Sequence, residues 1–577
     1  MMRPDPVLLD PNAPTAGSQS ALSVALRSPD MVMRLDRLGS FHQTRLSFMR
    51  VLLRRLDRDG WRLTRETWDV DARGEGVAVY RAKGPARTYS LVAFAHDLPP
   101  EKRTDRVIAE EWDATFALFD GDPTPADIER LRANVPRQEA GRVSDSEIVL
   151  ARANKSVRLF EQAAACLAEG VQPRPEDLTP VGYLMRTTAV YGSGKFGLAV
   201  REAIAGREEL HAPFQAEMLA VFLIRAFTFD LLDHTALVRS PQRAVTLAPT
   251  LRRSLGVGNA TGLGMAPFLV NHPALLDRWI TARETALARV RSQTAAEKWQ
   301  RLPILVRRAQ KLTATWNTTD ALQEQRIADL AADLEKLAAK IDQGPFGALP
   351  YDALYRWAEM ALGLEAQEML VSLLIEPHGD LVDDLAETMA CDEDAEFTID
   401  GSMTVGALMA FIEQNYRFAI TTDFSAAEAQ ARFWYVSEEK LEPRLGERYE
   451  EDGAEREQPL GIARDVAALY RALQAAVGDD RVATFLMQQP QFRHLVRRVQ
   501  ISARHPYAEV RDNLLSAAMR PVDLLRAKLA CFGATRFDPK SDRWVRITMF
   551  QNAPLFDEIG RCDADDWVLP PLEGAAI

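Results

Sequence analysis

Residues 61–94 read WRLTRETWDVDARGEGVAVYRAKGPARTYSLVAF and carry the clearest information about the fold. Three runs within this stretch, at 61–70, 76–80 and 88–94, are rich in the aromatic and β-branched residues that are enriched in strands. Turn-forming residues at 71–76 and 83–85 separate the runs. The stretch therefore predicts a three-stranded antiparallel meander.

Helical patterns lie on both sides of this meander. Apolar residues three and four apart predict a helix from about 33 to 56, and residues 107–118 add a further strand or helix. Beyond Val143 nearly every segment reads as helix, beginning with 144–168, which stops at Gly170. We therefore predict a mainly α fold class: a small N-terminal α+β domain with an antiparallel meander, followed by a large multi-helical body.

A helical hairpin is predicted in the middle of the chain. Apolar residues recur at three and four positions between Ile327 and Ile341, and Asp320 with Gln323 supplies an N-cap pattern. The segment 303–316 forms the other arm. The seam is too short for a convincing coiled coil, so we expect packing within the chain rather than dimerisation.

The length of 577 residues exceeds what one hydrophobic core supports, so several domains are expected. Four regions are predicted: a flexible N-terminal arm at 1–30, the small α+β domain at 31–145, a helical domain with two glycine-rich loops and the hairpin at 146–345, and a C-terminal helical domain at 346–577. The last region contains an acidic block at 376–400 and a basic block at 491–546.

Composition favours a soluble, cytoplasmic protein, although it does not exclude a local basic site. The net charge of -12 and the pI near 5.4 make nucleic-acid binding unlikely. No uninterrupted apolar run approaches 18 residues, and the N-terminus has no secretory apolar region, so no membrane association is expected. The four cysteines have no metal-ligand spacing, which is typical of free thiols in a reducing compartment.

The first glycine-rich segment satisfies the pattern G-x-G-x-x-G with Gly192, Gly194 and Gly197. A β-leaning run precedes it and a helical run follows, so its amides would lie at a helix N-terminus suited to phosphate. The wider context differs from a dinucleotide-binding unit, because 213–232 reads as another helix rather than a second parallel strand. A Walker A loop is excluded as well, since Phe196 replaces the required Ser or Thr.

The second glycine-rich segment runs from Leu255 to Pro273 and has four glycines within nine residues. Glycine is about 1 kcal/mol worse than alanine in a helix interior, so this segment is not a helix. It is either an anion-binding loop or a tight crossing between two buried helices.

We expect the two segments to enclose one anionic group, either a phosphate or a carboxylate. The candidate ligand-binding residues are Arg186, Thr187, Thr188, Gly192, Ser193, Gly194, Lys195, Gly197, Gly258, Asn259, Thr261 and Gly262. Candidates for proton transfer are Tyr191, Tyr183, His272 and His234. His272 is alternatively a capping side chain.

His234 also belongs to a trio with Asp230 and Asp233, spaced to share one helical face. Such a trio either forms an acid–base pair or metal site, or is a structural histidine satisfied by aspartate. The acidic block either binds magnesium or suits a helix dipole, and both charged blocks either face each other or are solvated surfaces. No metal ligand set is assigned, and the cofactor is unknown.

Two functions remain open. The first is a cytosolic enzyme that binds an anionic small metabolite or nucleotide between glycine-rich loops 192–197 and 256–264. The alternative is a non-catalytic helical scaffold or regulatory protein that binds a protein partner through the hairpin and the charged blocks. The chain contains no G-x-S-x-G, H-E-x-x-H or catalytic cysteine signature, and a homo-oligomer is compatible with either function.

Overall fold

The computed structural model describes residues 23–99, 111–134, 146–156, 158–191, 206–259, 273–389, 398–425, 434–437, 443–445, 457–459, 462–511, 526–527, 530–534, 536–539, 545–561 and 565–572. The strands in these ranges are β1 (Arg62–Val70), β2 (Gly76–Lys83), β3 (Thr88–Ala95), β4 (Ala114–Asp120), β5 (Glu147–Lys155), β6 (Tyr183–Tyr191), β7 (Gly256–Asn259), β8 (Trp434–Ser437), β9 (Pro443–Leu445), β10 (Glu457–Pro459), β11 (Arg536–Pro539) and β12 (Val545–Met549).

The same ranges are largely helical. Helices in the first half are α1 (Pro29–Val32), α2 (Leu35–Leu38), α3 (Phe48–Arg58), α4 (Pro125–Asn134), α5 (Leu159–Ala168), α6 (Pro175–Leu178), α7 (Gln215–Arg239), α8 (Pro249–Ser254) and α9 (Pro273–Arg291). Helices in the second half are α10 (Leu302–Thr313), α11 (Ala321–Ile341), α12 (Pro350–Ala361), α13 (Leu364–Ile375), α14 (Gly379–Val382), α15 (Val405–Asn415), α16 (Arg417–Ile420), α17 (Ile462–Gln474), α18 (Val482–Gln488) and α19 (Arg493–Arg504).

The fold-class prediction was wrong about the sheet. The meander β1–β2–β3 is present, but it forms only one end of a nine-stranded sheet with the order β1-β2-β3-β4-β5-β6-β7-β12-β11. Every neighbouring pair is antiparallel except β6 and β7, which are parallel. The protein is therefore a mixed α/β structure rather than a small α+β domain followed by a helical body. The predicted domain limits stay a prediction.

Strand β5 was predicted as helix because its apolar residues do not alternate with polar ones. Residues 147–155, predicted as the start of a helix, form β5, and all but two of its side chains are buried. A strand buried on both faces has no period-two pattern and is indistinguishable by periodicity from part of a buried helix.

Both faces of the sheet are covered by helices. The long helix α7, predicted over 213–232, crosses one face against β3 to β7, and α3 and α5 pack against it. On the other face a smaller cluster joins Val92, Phe94 and Ala117 to Leu131 and Ile128 of α4. The central strands are thus protected from solvent by helices on both faces.

Arg225 of α7 joins the sheet to the C-terminal strands. Its guanidinium is buried and donates hydrogen bonds only to backbone carbonyls, including those of Leu255, Ala553 and Pro554 at 2.8, 3.1 and 2.9 Å. Leu255, which precedes β7, and Ala553 and Pro554, which follow β12, are therefore bound to the same helix.

The helical hairpin prediction is confirmed. Helices α10 and α11 pack against each other, and the Asp320 side chain accepts a hydrogen bond from the Gln323 amide at 3.0 Å. The seam residues Leu330, Leu334, Leu337 and Ile341 are buried within the chain.

A group of buried charges, the arginine cluster, connects the N-terminal segment to α9 and α13. Three guanidiniums surround the fully buried Glu368: Arg27 Nη1 and Arg37 Nη1 each lie 2.6 Å from Oε1, and Arg283 Nη2 lies 2.5 Å from Oε2. Glu284 accepts a second hydrogen bond from Arg27 at 2.7 Å. Residues 23–30 of the predicted flexible arm are therefore anchored, whereas 1–22 lie outside the described residues.

The helix predicted over 33–56 is interrupted. Helix α2 ends at Leu38 and α3 begins at Phe48, so residues 39–47 are not helical although most are buried. Arginines of the break and of α3 pair with the acidic block. Arg45 lies 2.6 Å from Asp383, Arg50 lies 2.6 Å from Glu376, and Arg55 lies 2.5 Å from Glu387. These three carboxylates therefore pair with the N-terminal region, although Glu387 stays about half exposed to solvent.

Helices α15 to α19 surround a second apolar core that includes Leu408, Ile412, Val466 and Val499. A separate three-stranded sheet has the order β10-β8-β9. Across the described ranges, no helix combines the length and apolar character needed to cross a bilayer.

Candidate functional site

Strands β6 and β7 with helix α7 form a parallel β–α–β unit. Tyr183 is opposite Gly256, Arg186 is opposite Gly258, and Thr187 is opposite Asn259. The sequence reading had missed this second parallel strand, because a four-residue strand containing two glycines has little strand propensity. The two glycine-rich segments therefore leave the sheet from neighbouring parallel strands, at what we term the carboxyl edge.

The carboxyl edge also collects the ends of other strands. The register brings the end of β4, the start of β5 and the start of β12 to the same side as the ends of β6 and β7. The connecting segments that adjoin this edge outside the described residues are 135–145, 192–205, 260–272 and 540–544. In sheets with parallel strands, ligand-binding loops commonly follow the carboxyl ends of those strands.

The chain that leaves β6 returns near the end of β4. Arg207 forms an ion pair with Asp120, the last residue of β4. Beside this ion pair, burial raises the pKa of Tyr89, which donates a hydrogen bond to Glu209.

Arg186 and Thr187 lie within the parallel pair. Arg186 is only 5% exposed and is flanked by Asn154 of β5 and Gly258 of β7. The Thr187 hydroxyl donates to the carbonyl oxygen of Gly258 at 3.1 Å, which fastens β6 to β7. Thr187 therefore links the two strands beneath the edge, and Arg186 lies buried between β5 and β7.

Two glycines of the second segment are explained by close packing. A Cβ atom added at Gly258 would lie 2.6 Å from the ring of Tyr183, and one at Gly256 would lie 2.1 Å from the carbonyl oxygen of Met549. Real Cβ atoms do not approach other atoms so closely. Glycine is thus required in β7 by its neighbours on both sides, whether or not a ligand binds beyond the strand.

Eight of the candidate residues lie outside the described residues: Gly192, Ser193, Gly194, Lys195, Gly197, Thr261, Gly262 and His272. Tyr191 is the last residue of β6, Thr188 lies within that strand and Asn259 ends β7, and only their backbone is described.

His234 lies far from the carboxyl edge. It is nineteen positions after the first residue of α7, about 28 Å along the helix axis, near the opposite edge of the sheet. Trp68 Nε1 lies 3.4 Å from Nδ1 and the carbonyl oxygen of Asp71 lies 2.9 Å from Nε2, so this histidine fastens β1 and the turn after it to α7.

The aspartates of the trio have separate partners. Asp230 accepts from the Tyr80 hydroxyl at 2.6 Å, whereas Asp233 accepts from the Leu247 amide at 2.9 Å and pairs with Arg252. The structure therefore does not combine Asp230, Asp233 and His234 into one acid–base group. Within the described ranges, no set of three His, Cys, Asp or Glu side chains is arranged to hold a metal ion.

Sequence reasoning missed a second concentration of polar groups, at the break between α2 and α3. His42 is buried there and its ring stacks on that of Trp316, with centroids 5.9 Å apart and an interplanar angle of 11°. The available signal was the run Ser40-Phe-His-Gln-Thr-Arg45, which places four polar residues in succession within an otherwise apolar periodic pattern.

Comparison with known proteins gave no relative: no family model, no curated protein sequence and no solved structure matches the chain.

Proposed function

We propose that this protein is an enzyme that binds an anionic small metabolite or nucleotide at the carboxyl edge, between glycine-rich loops 192–197 and 256–264. The observation that carries the proposal is the parallel pairing of β6 with β7. It brings both loops to the ends of adjacent strands, although 64 residues lie between β6 and β7 in the sequence.

The crossover helix strengthens this proposal. Helix α7 connects the end of β6 to the start of β7, so it runs back along the sheet and its N-terminal end lies on the side of the carboxyl edge. The 25-residue helix directs a partial positive charge to that side, which favours an anion. Lys195 would add a full charge, and the loop amides would add hydrogen-bond donors.

The roles within this proposal follow from position. Thr187 links the parallel strands, Arg186 lies buried between β5 and β7, and Tyr191 or His272 would carry the proton-transfer step at the ends of the strands. His234 is left out, because it lies at the other end of α7. The cofactor stays unassigned, and the proposed location is the cytoplasm.

The alternative of a protein-binding scaffold has less support. That function was expected to use the apolar seam of the helical hairpin and the charged blocks. The seam is buried within the chain, and the acidic block pairs with arginines of the N-terminal region. The hairpin seam is therefore not open to a partner, and three carboxylates of the acidic block are already paired within the chain.

A thermal-shift screen tests the proposal. Purified protein would be heated with phosphate, nucleotides, dinucleotides, sugar phosphates and carboxylates, each at concentrations far above the expected Kd. A ligand at 100 times its Kd adds about 2.7 kcal/mol to stability, which gives a measurable rise in Tm. We expect at least one phosphorylated or carboxylated compound to stabilise the protein.

Calorimetric titration of Lys195→Ala then locates the site. A lost charge-assisted hydrogen bond of about 1.5–3 kcal/mol raises Kd by about 10- to 100-fold. The control is Lys336→Ala, which removes an exposed lysine of α11 and should leave Kd unchanged. Absence of any stabilising anion, or a hit whose Kd is the same in both variants, would contradict the proposed site.

A further inference from the structure

A small cavity lies where the break between α2 and α3 meets α10, α13 and the C-terminal residues. Its volume is about 50 Å³ and it is partly open to solvent. Phe41, Leu312, Met369, Leu373 and Val568 provide an apolar wall. None of these elements belongs to the carboxyl edge, so the cavity is independent of the proposed function.

Within the part of the chain that the structure describes, three buried polar atoms on this cavity have no hydrogen-bond partner. They are Nε2 of His42, Oε1 of Gln43 and Nε1 of Trp316. His42 is 8% exposed, and its Nε2 lies 3.6 Å from Oε1 of Glu365, beyond hydrogen-bond distance. Buried polar groups in native proteins are almost always paired with protein or with ordered water, so three such atoms around one small space mark it as a place where water or a ligand group is held.

The charges around the cavity balance without a ligand charge. Arg526 Nη1 lies 2.7 Å from Glu365 Oε1, and Glu376 is paired with Arg50 at 2.6 Å. Burial, followed by the nearby Arg526, lowers the pKa of His42 well below its usual value, so the imidazole is neutral. A charged ligand would therefore add an uncompensated buried charge.

The remaining polar atoms determine what a ligand group must offer here. The indole N–H of Trp316 is a donor, whereas the Gln43 oxygen is an acceptor. A group that satisfies both must offer an acceptor and a donor side by side and carry no charge. A primary carboxamide meets this requirement, with its carbonyl facing Trp316 and its NH2 facing Gln43.

We propose that this cavity binds the carboxamide head group of a small neutral molecule. The volume is about one third of the roughly 150 Å³ that accommodates benzene in an engineered apolar cavity, so only the carboxamide group itself is enclosed. The aliphatic part of the molecule lies at the open side, against the apolar wall.

The test uses propionamide and the isosteric anion propionate. The full-length protein is labelled with ¹⁵N at tryptophan, and Trp316→Phe identifies the indole signal of Trp316. We expect millimolar propionamide to shift this signal to saturation and propionate at the same concentration to leave it unmoved. Equal effects of the two compounds, or no shift with propionamide, would overturn the proposal.

Variants separate ligand binding from loss of structure. Trp316→Phe keeps the stacked ring but removes the donor, and Gln43→Met removes the acceptor at similar length. Each should raise the Kd for propionamide, measured by ligand-observed NMR, at least tenfold. The matched control is Trp61→Phe, because the indole N–H of Trp61 is also buried without a partner but its ring stacks on Tyr89 of β3. An unchanged Kd in both cavity variants, or an equal rise in the control, would show that propionamide does not bind here.

Discussion

Replacing Glu368 by glutamine removes one of the two carboxylates that neutralise the arginine cluster. The side chain is fully buried and contacts three guanidiniums at 2.5–2.6 Å. Burial alone would raise the pKa of Glu368, but Arg27, Arg283 and Arg37 together lower it well below its usual range. Glutamine has almost the same shape, so the substitution removes charge without creating a cavity.

The expected cost follows from the charges that remain. In Glu368→Gln the buried arginines Arg27, Arg37 and Arg283 face Glu284 alone. Removing one partner of a buried ion pair typically costs 3–5 kcal/mol, because the other charge stays buried without compensation. Since three guanidiniums lose a partner here, we expect a decrease of at least about 4 kcal/mol in the free energy of unfolding.

The assay is urea unfolding followed by far-ultraviolet circular dichroism, with the slope m compared between variants. Glu359→Gln is the control, because Glu359 is an exposed residue of the neighbouring helix α12 and its loss should change stability by no more than about 0.5 kcal/mol. The double variant Glu368→Gln with Arg283→Met should be less unstable than the sum of the single variants by about 0.5–3 kcal/mol. A cost below about 1 kcal/mol for Glu368→Gln, at unchanged m, would refute the electrostatic reasoning.

Three further changes have defined outcomes. Burial raises the pKa of Asp565, but Arg50, Arg54 and Arg45 lower it overall to about 2, against about 3.9 in an unfolded chain. Its ionised form therefore stabilises the protein by about 2–3 kcal/mol above pH 4, and this advantage over Asp565→Asn should disappear as the pH falls from 4 to 2 in acid-unfolding curves. Gly258→Ala should cost about 1–3 kcal/mol in urea unfolding, because its Cβ meets the Tyr183 ring, and Tyr183→Ala in the same chain should recover part of the loss. Asp320→Ala should cost about 1 kcal/mol by removing the N-cap of α11, and an unchanged Tm would contradict that role.

Local patterns predicted those elements whose environment is decided by nearby residues. The meander has turn residues between runs rich in β-branched and aromatic residues, and α11 has a cap, a periodic seam and a stop, so both were predicted correctly. Helix α7 was predicted correctly because its apolar-rich segment is too long to be a single strand. In each case the information lies within about 25 consecutive residues.

The elements that were missed depend on distant partners. Strand β5 has no alternation because neighbours cover both of its faces, and β7 has glycines because Tyr183 and Met549 approach its backbone. The parallel β6–β7 pair, which supports the candidate site, therefore could not be predicted from local propensity. His234 was misjudged for the opposite reason: its spacing from the aspartates is local, but the partners that occupy its ring nitrogens belong to β1 and the turn after it.

The order of strands in the large sheet has a consequence for synthesis. Strand β7 pairs with β12, and 286 positions separate the end of β7 from the start of β12. At roughly 5–20 residues per second, a ribosome needs about 15–60 s to make the intervening chain. During that time one side of β7 has no partner, and an open strand edge readily pairs with other chains. The nascent protein thus depends on its last strands to cover this edge, so premature termination before residue 545 would yield a fragment prone to aggregation.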